Sequence, residues 1–308
     1  MRRGRWMASV FCMAVLALMT AACQGSSSAS HSAGTGSAEP SVAVVPPTHS
    51  GEGSSATVLS GATLPSDAQE IFGDALVPEK HGSFGLDRTQ IMTSDDPRFP
   101  RILRVFYPAG SASQRSGNLY HSPWGGAQLY LLLRVGSTDL LHFRFYVRFP
   151  PGFDFVKGGK LPGLFGGTVT SGRHIPNGSD GFSTRYMWRK GGAAEVYAYL
   201  PTSVAHGTSL GRGNWTWKPG VWTCVEQEVR LNTLGASDGT ITVWVNGIEA
   251  YRATGLAFRT TSDLKIDGVF FSTFFGGGDP TWASPRNQYV DFAGFAVSDH
   301  AIGPLPGT

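Results

Sequence analysis

Between residues 65 and 299 the chain is written almost wholly in short β-type runs, and this most limits what it can fold into. The runs cover 102–107, 128–134, 140–149, 182–189, 195–200, 222–231, 240–246, 264–275 and 289–297. Turn clusters rich in glycine separate them. No segment sustains a 3.6-residue apolar period, and one short helix is expected near 67–72. Asn246-Gly247 lies between TITVWV and IEAYRA, a hairpin signal, and Asp238-Gly239 marks another turn. Roughly 235 residues of this kind suit one all-β domain. The expected fold is a β-jelly roll, a two-sheet antiparallel sandwich. A concave, polar sheet face in such a fold makes a groove for an extended polymer.

The N-terminus carries an address. Arg2, Arg3 and Arg5 precede an apolar run from Ala8 to Met19, which ends at Ala21-Ala22-Cys23. The run is short for a membrane span and has the layout of a secretory signal. A cysteine at this position resembles a lipoprotein signal, so 1–23 is expected to be a lipoprotein-type signal segment, cut just before Cys23, which becomes the lipidated N-terminus. The protein is then exported and anchored to the bacterial surface, or secreted. Residues 24–62 are Ser, Gly, Ala, Thr and Pro with few large apolar groups, which makes them a tether. The folded domain is expected over 63–308.

The signal also accounts for the net charge. The chain is +3, and Arg2, Arg3 and Arg5 supply all of it; the remaining basic residues match the 22 acids one for one. A general nucleic-acid binder is therefore not expected. Of the three cysteines, Cys12 and Cys23 belong to the signal, leaving Cys224 with no disulfide partner. Cys224 sits in a strand-like run and reads as packing. The eight histidines show no ligand-like spacing, so no metal and no cofactor is expected.

The unusual segment is 181–200, GFSTRYMWRKGGAAEVYAYL. By alternation, Ser183, Arg185, Met187 and Arg189 share one face of the first strand; Glu195, Tyr197 and Tyr199 share one face of the second. A two-residue turn at Gly191-Gly192 would mix polar and apolar faces. A three-residue loop at 191–193 segregates them and pairs Arg189 with Glu195, Met187 with Tyr197 and Arg185 with Tyr199. The approach to this hairpin is basic. From Lys157 to Lys190 there are six Lys or Arg and a single acid, Asp180. Trp188, Trp215, Trp217 and Trp222 lie close in sequence, and aromatic faces suit sugar rings, although a tryptophan is more often core. A basic groove for an anionic chain is the functional reading; a solvated charged loop holding Lys160 is the plain one.

Three segments together carry a resemblance: KLPGLFGG from Lys160, GFSTRYMWR from Gly181 and EVYAYLP from Glu195. They resemble polysaccharide lyase family 14, which contains alginate and glucuronate-polymer lyases, and the likeness runs from about 140 to 297. It implies a β-jelly roll and β-elimination on a 4-linked uronate polymer, either alginate/polymannuronate or glucuronan. It also places the family's functional set on Lys160, Ser183, Arg185, Tyr197 and Tyr199. Elimination removes the weakly acidic C5 proton. Arg185, with Ser183 as hydrogen-bond donor, would offset the carboxylate charge. Lys160 and Tyr199 would carry the proton transfers, with Tyr197 assisting or exchanging roles; which is base and which acid stays open. His174, His121, Gln128 and Arg144 are further groove candidates. The expected partner is an anionic uronate polysaccharide, with membrane contact through the N-terminal lipid alone and a monomeric chain. A non-catalytic, lectin-like surface lipoprotein is the competing class, and a surface lipoprotein with a degenerate site is a third.

Overall fold

The computed structural model describes residues 66–307. The signal, Cys12, the Cys23 lipidation site and the tether lie outside the described residues. In chain order the elements are α1 (Ser66–Phe72), β1 (Leu76–Phe84), β2 (Thr89–Thr93), β3 (Arg101–Tyr107), α2 (Gln114–Tyr120), β4 (Ala127–Leu133), β5 (Leu140–Arg148) and β6 (Gly158–Gly167). There follow β7 (Gly181–Arg189), β8 (Ala194–Tyr199), β9 (Thr208–Leu210), β10 (Thr223–Arg230), β11 (Gly239–Val245), β12 (Ile248–Leu256), β13 (Gly268–Phe275) and β14 (Gln288–Ser298).

The strands form two seven-stranded sheets, β1-β4-β13-β6-β7-β8-β9 and β12-β11-β10-β5-β14-β3-β2. Each ladder between them is antiparallel. This is the jelly-roll sandwich that the alternating runs predict. Strand β4 shows why. Its sequence AQLYLLL buries Ala127, Leu129, Leu131 and Leu133 against the second sheet and turns Gln128 and Tyr130 outward. Between the sheets lie Phe143, Phe145, Phe182, Tyr186, Trp188, Val196, Phe271 and Phe292, all fully buried. Removing a side chain of this size from water stabilises the fold by about 1.5–3 kcal/mol.

The helix expected near 67–72 forms as α1. It closes one end of the core, with Phe72 packed on Phe295 and Phe271 at ring-centroid distances of 4.8 and 5.8 Å. The Asn246-Gly247 hairpin is also present. Both residues have positive φ, 51° and 82°, as a two-residue I′ turn requires. The Asn246 side chain accepts from the Cys224 amide at 2.9 Å, which ties the turn to β10.

Several elements depart from the sequence expectations. Strands β1, β2 and β9 and helix α2 carry weak patterns; β1 reads LVPEKHGSF, with proline and charges within an edge strand. The larger difference is β6. Its sequence, GGKLPGLFGG, has glycine or proline at six of its ten positions and reads as a loop, yet it lies between β13 and β7 inside the first sheet. Lys160 is therefore a strand residue and not a loop charge.

Candidate active site

The outward face of the first sheet is assembled from five neighbouring strands. Register places Gln128 beside Ser272, Tyr130 beside Phe270, Phe270 beside Gly163, Lys160 beside Met187, and Arg185 beside Tyr197. Of these, Gln128, Lys160, Arg185, Met187 and Tyr197 line a groove of about 490 Å³.

The LPG sequence has a mechanical role. Between Lys160 and Gly163 the ladder to β7 shifts by one residue, a β-bulge. Pro162, with no N–H to donate, sits inside the bulge, where a ladder hydrogen bond is already missing. The shift lets Lys160 and Gly163 both face the groove while Leu161 and Leu164 are fully buried in the core. Without the bulge, alternation would send one of these pairs to the wrong face. Gly163 must be glycine, because a Cβ there would lie 2.3 Å from the Thr184 carbonyl oxygen and 2.4 Å from the Arg185 Cα.

The hairpin keeps the predicted segregation of faces, with a corrected loop. Its three-residue connection is Lys190–Gly192, and Ala193 forms an isolated antiparallel bridge with Thr216. Arg185 pairs with Tyr197, Met187 with Glu195 and Ser183 with Tyr199, a slide of two residues from the expected partners. An even slide preserves parity, so Arg185, Tyr197 and Tyr199 stay on one face. The physical reason is the loop backbone. Gly191 and Gly192 have φ of 67° and 82°; both loops contain them, but ending the loop at Gly192 puts a glycine at its last, positive-φ position, where the expected loop would put Ala193. The Arg189–Glu195 ion pair forms all the same, reaching diagonally across the strands.

Lys160 is partly buried and has no carboxylate partner. Its Nζ donates to Met187 Sδ at 2.7 Å and lies 3.5 Å from the centre of the Tyr197 ring. A thioether is a weak acceptor and does not neutralise an ammonium. Withdrawal from water, then the charges of Arg185 and Arg189, hold its pKa well below 10.5; Glu195 opposes them. Burial, then the neighbouring Tyr199, pushes the Tyr197 phenol up to about 12. The two tyrosine rings meet edge to face at 5.7 Å. The Tyr199 hydroxyl accepts from the Arg173 amide at 3.4 Å.

Arg185 is 2 % exposed. Its Nη1 donates to Ser272 Oγ at 3.1 Å, its Nε has no protein partner, and its guanidinium lies 4.5 Å from the Phe270 ring centre. Burial lowers its pKa. Ser183 keeps the expected face but not the expected surroundings. It is fully buried, does not line the groove, and donates to the Thr170 carbonyl at 2.6 Å. In that position it secures the loop between β6 and β7. Thr170 in turn bonds the Tyr130 hydroxyl at 2.9 Å.

Of the other candidates, Gln128 lines the groove, whereas His174, His121 and Arg144 do not. Arg144 belongs to β5 in the second sheet, where it donates to the carbonyls of Gly294 and Gly303. Trp188, Trp215 and Trp217 are core residues, and Trp222 packs on Phe99 beside the second sheet. The groove tryptophan is Trp282, from the loop after β13. The sequence pattern alone also misses Arg115, Arg173, His206 and Arg212, each of which reaches the groove from a loop or a helix end. The lining carries Arg115, Lys160, Arg173, Arg185, Arg189 and Arg212 and contains no Asp or Glu. Among the described residues no group of His, Cys, Asp and Glu is placed to hold a metal ion.

The same arrangement of strands recurs in solved structures. An alginate lyase of the family from Aplysia kurodai is 34% identical, with a TM-score of 0.62 over 71% of this chain and 89% of its own. The Chlorella virus alginate lyase vAL-1 is 25% identical, with a TM-score of 0.65 over 79% of this chain and 100% of its own. Among curated proteins, Exolysin of Paramecium bursaria Chlorella virus 1 is 25% identical over 199 residues; the match spans 54% of this chain and 29% of that relative's length. The model of the family described as Polysaccharide lyase 14 matches residues 96–295, which include each strand that floors the groove. A jelly roll with this cationic groove, built from the strands that the family model spans, belongs to polysaccharide lyase family 14.

Proposed function

We propose that the groove cleaves a 4-linked uronate polymer, of the alginate or glucuronan type, by β-elimination. The observation that carries this reading is Lys160, a partly desolvated amine without a carboxylate partner, set beside two tyrosines in a groove lined by arginines. Arg185, buried and without a carboxylate of its own, receives the substrate carboxylate and offsets the charge that builds up as C5 loses its proton. Lys160, with its pKa lowered, offers a neutral amine to take that proton. The electron pair left at C5 becomes the C4–C5 double bond and the C4–O4 bond breaks. Tyr197 or Tyr199 gives its proton to O4; a phenol held up at about 12, as Tyr197 is, keeps that proton at neutral pH. Ser183 acts through Thr170 and the loop it anchors, not as a donor to substrate.

Ultraviolet absorbance of the unsaturated product tests this on polymannuronate, polyguluronate and glucuronan. One or more substrates should give a rising signal. Phenylalanine at position 197 and at position 199 then identifies the proton donor as the variant that loses kcat by about 10²–10⁴-fold. Binding of these polymers without any rise would favour the lectin reading.

We propose also that the enzyme acts outside the cell on a lipid anchor. The Arg2/Arg3/Arg5 region, the apolar run and Ala21-Ala22-Cys23 support this. Metabolic labelling with a fatty acid should mark the wild-type chain, and Cys23→Ser should abolish the label and release the protein from the membrane fraction. An unlabelled wild-type chain recovered from the medium would overturn the anchor.

A further inference from the structure

Two guanidinium groups of the groove converge on one fully buried carboxylate. Glu195 Oε1 accepts from Arg189 Nε at 2.8 Å and from Ser209 Oγ at 3.2 Å; its Oε2 accepts from Arg212 Nε at 2.6 Å. Ser209 Oγ also accepts from Nη2 of both arginines, at 3.3 Å each. Glu195 comes from β8, Arg189 from β7, Ser209 from β9 and Arg212 from the loop beyond it. Arg189 and Arg212 both line the groove, and Glu195 lies beneath them. Two positive charges against one negative leave the cluster cationic.

We infer that Arg189 and Arg212, held by Glu195, form a second uronate subsite that binds the carboxylate of another sugar of the same chain. This rests on the uronate-polymer reading above. Arg189 is four residues from Arg185 on the same face of β7, so the two guanidinium groups are rooted about 13 Å apart. Arg185 is held by Ser272 on β13 and Arg189 by Glu195 on β8, on opposite sides of β7, which directs the two guanidinium groups to separate sugar carboxylates. Trp282 stands beside the cluster, with its ring centre 5.9 Å from the Arg189 guanidinium, and offers an apolar surface to the intervening ring. Lys190, next to Arg189 in the chain, lines a second depression with Lys157, Arg286 and one acid, Asp154, so the surface beside the subsite is net cationic. Glu195 is the positioning residue. Glu195 and Ser209 hold both guanidinium groups through Nε and Nη2 and leave their Nη1 groups for the ligand.

Calorimetric titration of the inactive Lys160→Met protein with uronate oligosaccharides of increasing length tests the subsite. Arg212→Ala, which removes a half-exposed side chain, should weaken binding of the longer oligomers about tenfold and of the shortest much less. The exposed Arg252→Ala, on β12, should change nothing. In the active enzyme, Glu195→Gln should raise KM for polymer more than it lowers kcat. It should also move the acidic limb of the pH profile to lower pH, because Lys160 loses a nearby negative charge; Glu195→Asp should restore part of both. Equal affinity of the Arg212→Ala protein for every length, or equal binding of neutral glucan oligosaccharides by the parent, would overturn the subsite. Length-dependent binding that needs Arg212, with no unsaturated product from the active enzyme, would keep the subsite and reject the lyase reading.

Discussion

Lys160→Met is expected to abolish turnover and, at the same time, to make the folded domain more stable at neutral pH. The two effects have one cause. Lys160 sits among Met187 Sδ, the Tyr197 ring and two arginine charges, and these hold its pKa well below 10.5. An unfolded chain binds the lysine proton up to about 10.4. Between the lowered folded value and 10.5, the unfolded state therefore binds more protons than the folded one. Stability must rise with pH across that window, and the charged lysine costs the fold stability below it. Methionine has similar length and no charge, so it removes this cost. It also removes the general base, which is worth about 10²–10⁴-fold in kcat. Thermal unfolding at neutral pH should show a higher Tm for the variant, with no product detected. A lower Tm together with lost activity would mean that Lys160 is structural. In the wild-type enzyme, kcat/KM should rise with pH through the lowered Lys160 pKa; with Tyr197 as the donor, held up to about 12, it should fall only at strongly alkaline pH.

Gly163→Ala is expected to have the largest effect on folding, costing more than about 4 kcal/mol. The added methyl would meet the Thr184 carbonyl oxygen at 2.3 Å and the Arg185 Cα at 2.4 Å. Both are backbone atoms of a central strand, so no side-chain rotation relieves the clash. Relief requires β6 to part from β7, and that ladder carries Lys160 to Met187 and Gly163 to Arg185. The protein should express mainly as insoluble chain, or unfold at much lower denaturant. Gly191→Ala is the contrast. Nothing lies within 4 Å of a Cβ there, but φ is 67°, so the cost should be about 1–2 kcal/mol. Urea titrations of both variants measure the difference, and a Gly163→Ala protein as stable as wild type would reject the bulge as a fixed feature.

The parts of the site that were legible in sequence are those governed by strand alternation. Parity places Arg185, Tyr197 and Tyr199 on one face for any even slide of the hairpin, so the correct face follows even though the predicted pairs are two residues off. The loop position was not legible, because it depends on which residues accept positive φ. Strand β6 was hidden for a related reason. Its glycines and proline carry turn propensity, and only β13 and β7 on either side make the segment a strand. Ser183 was placed on the correct face, yet what its hydroxyl meets is decided by Thr170, thirteen residues earlier on a loop. Trp282, His206, Arg173 and Arg212 carry no periodic signal, and they reach the groove only through the folding of their loops.

By itself the sequence determined an all-β sandwich, an apolar face and a polar face for the 181–200 hairpin, and a local excess of positive charge before it. Period-two alternation and turn chemistry are local, and they need no partner to be read. The tertiary structure alone decided that Lys160 faces Met187 and Tyr197, that Arg185 is buried without a carboxylate, and that Arg189 and Arg212 share Glu195. Each of these is a contact between strands or loops distant in sequence. The lowered pKa of Lys160 is a property of that enclosure and is not carried by the lysine itself.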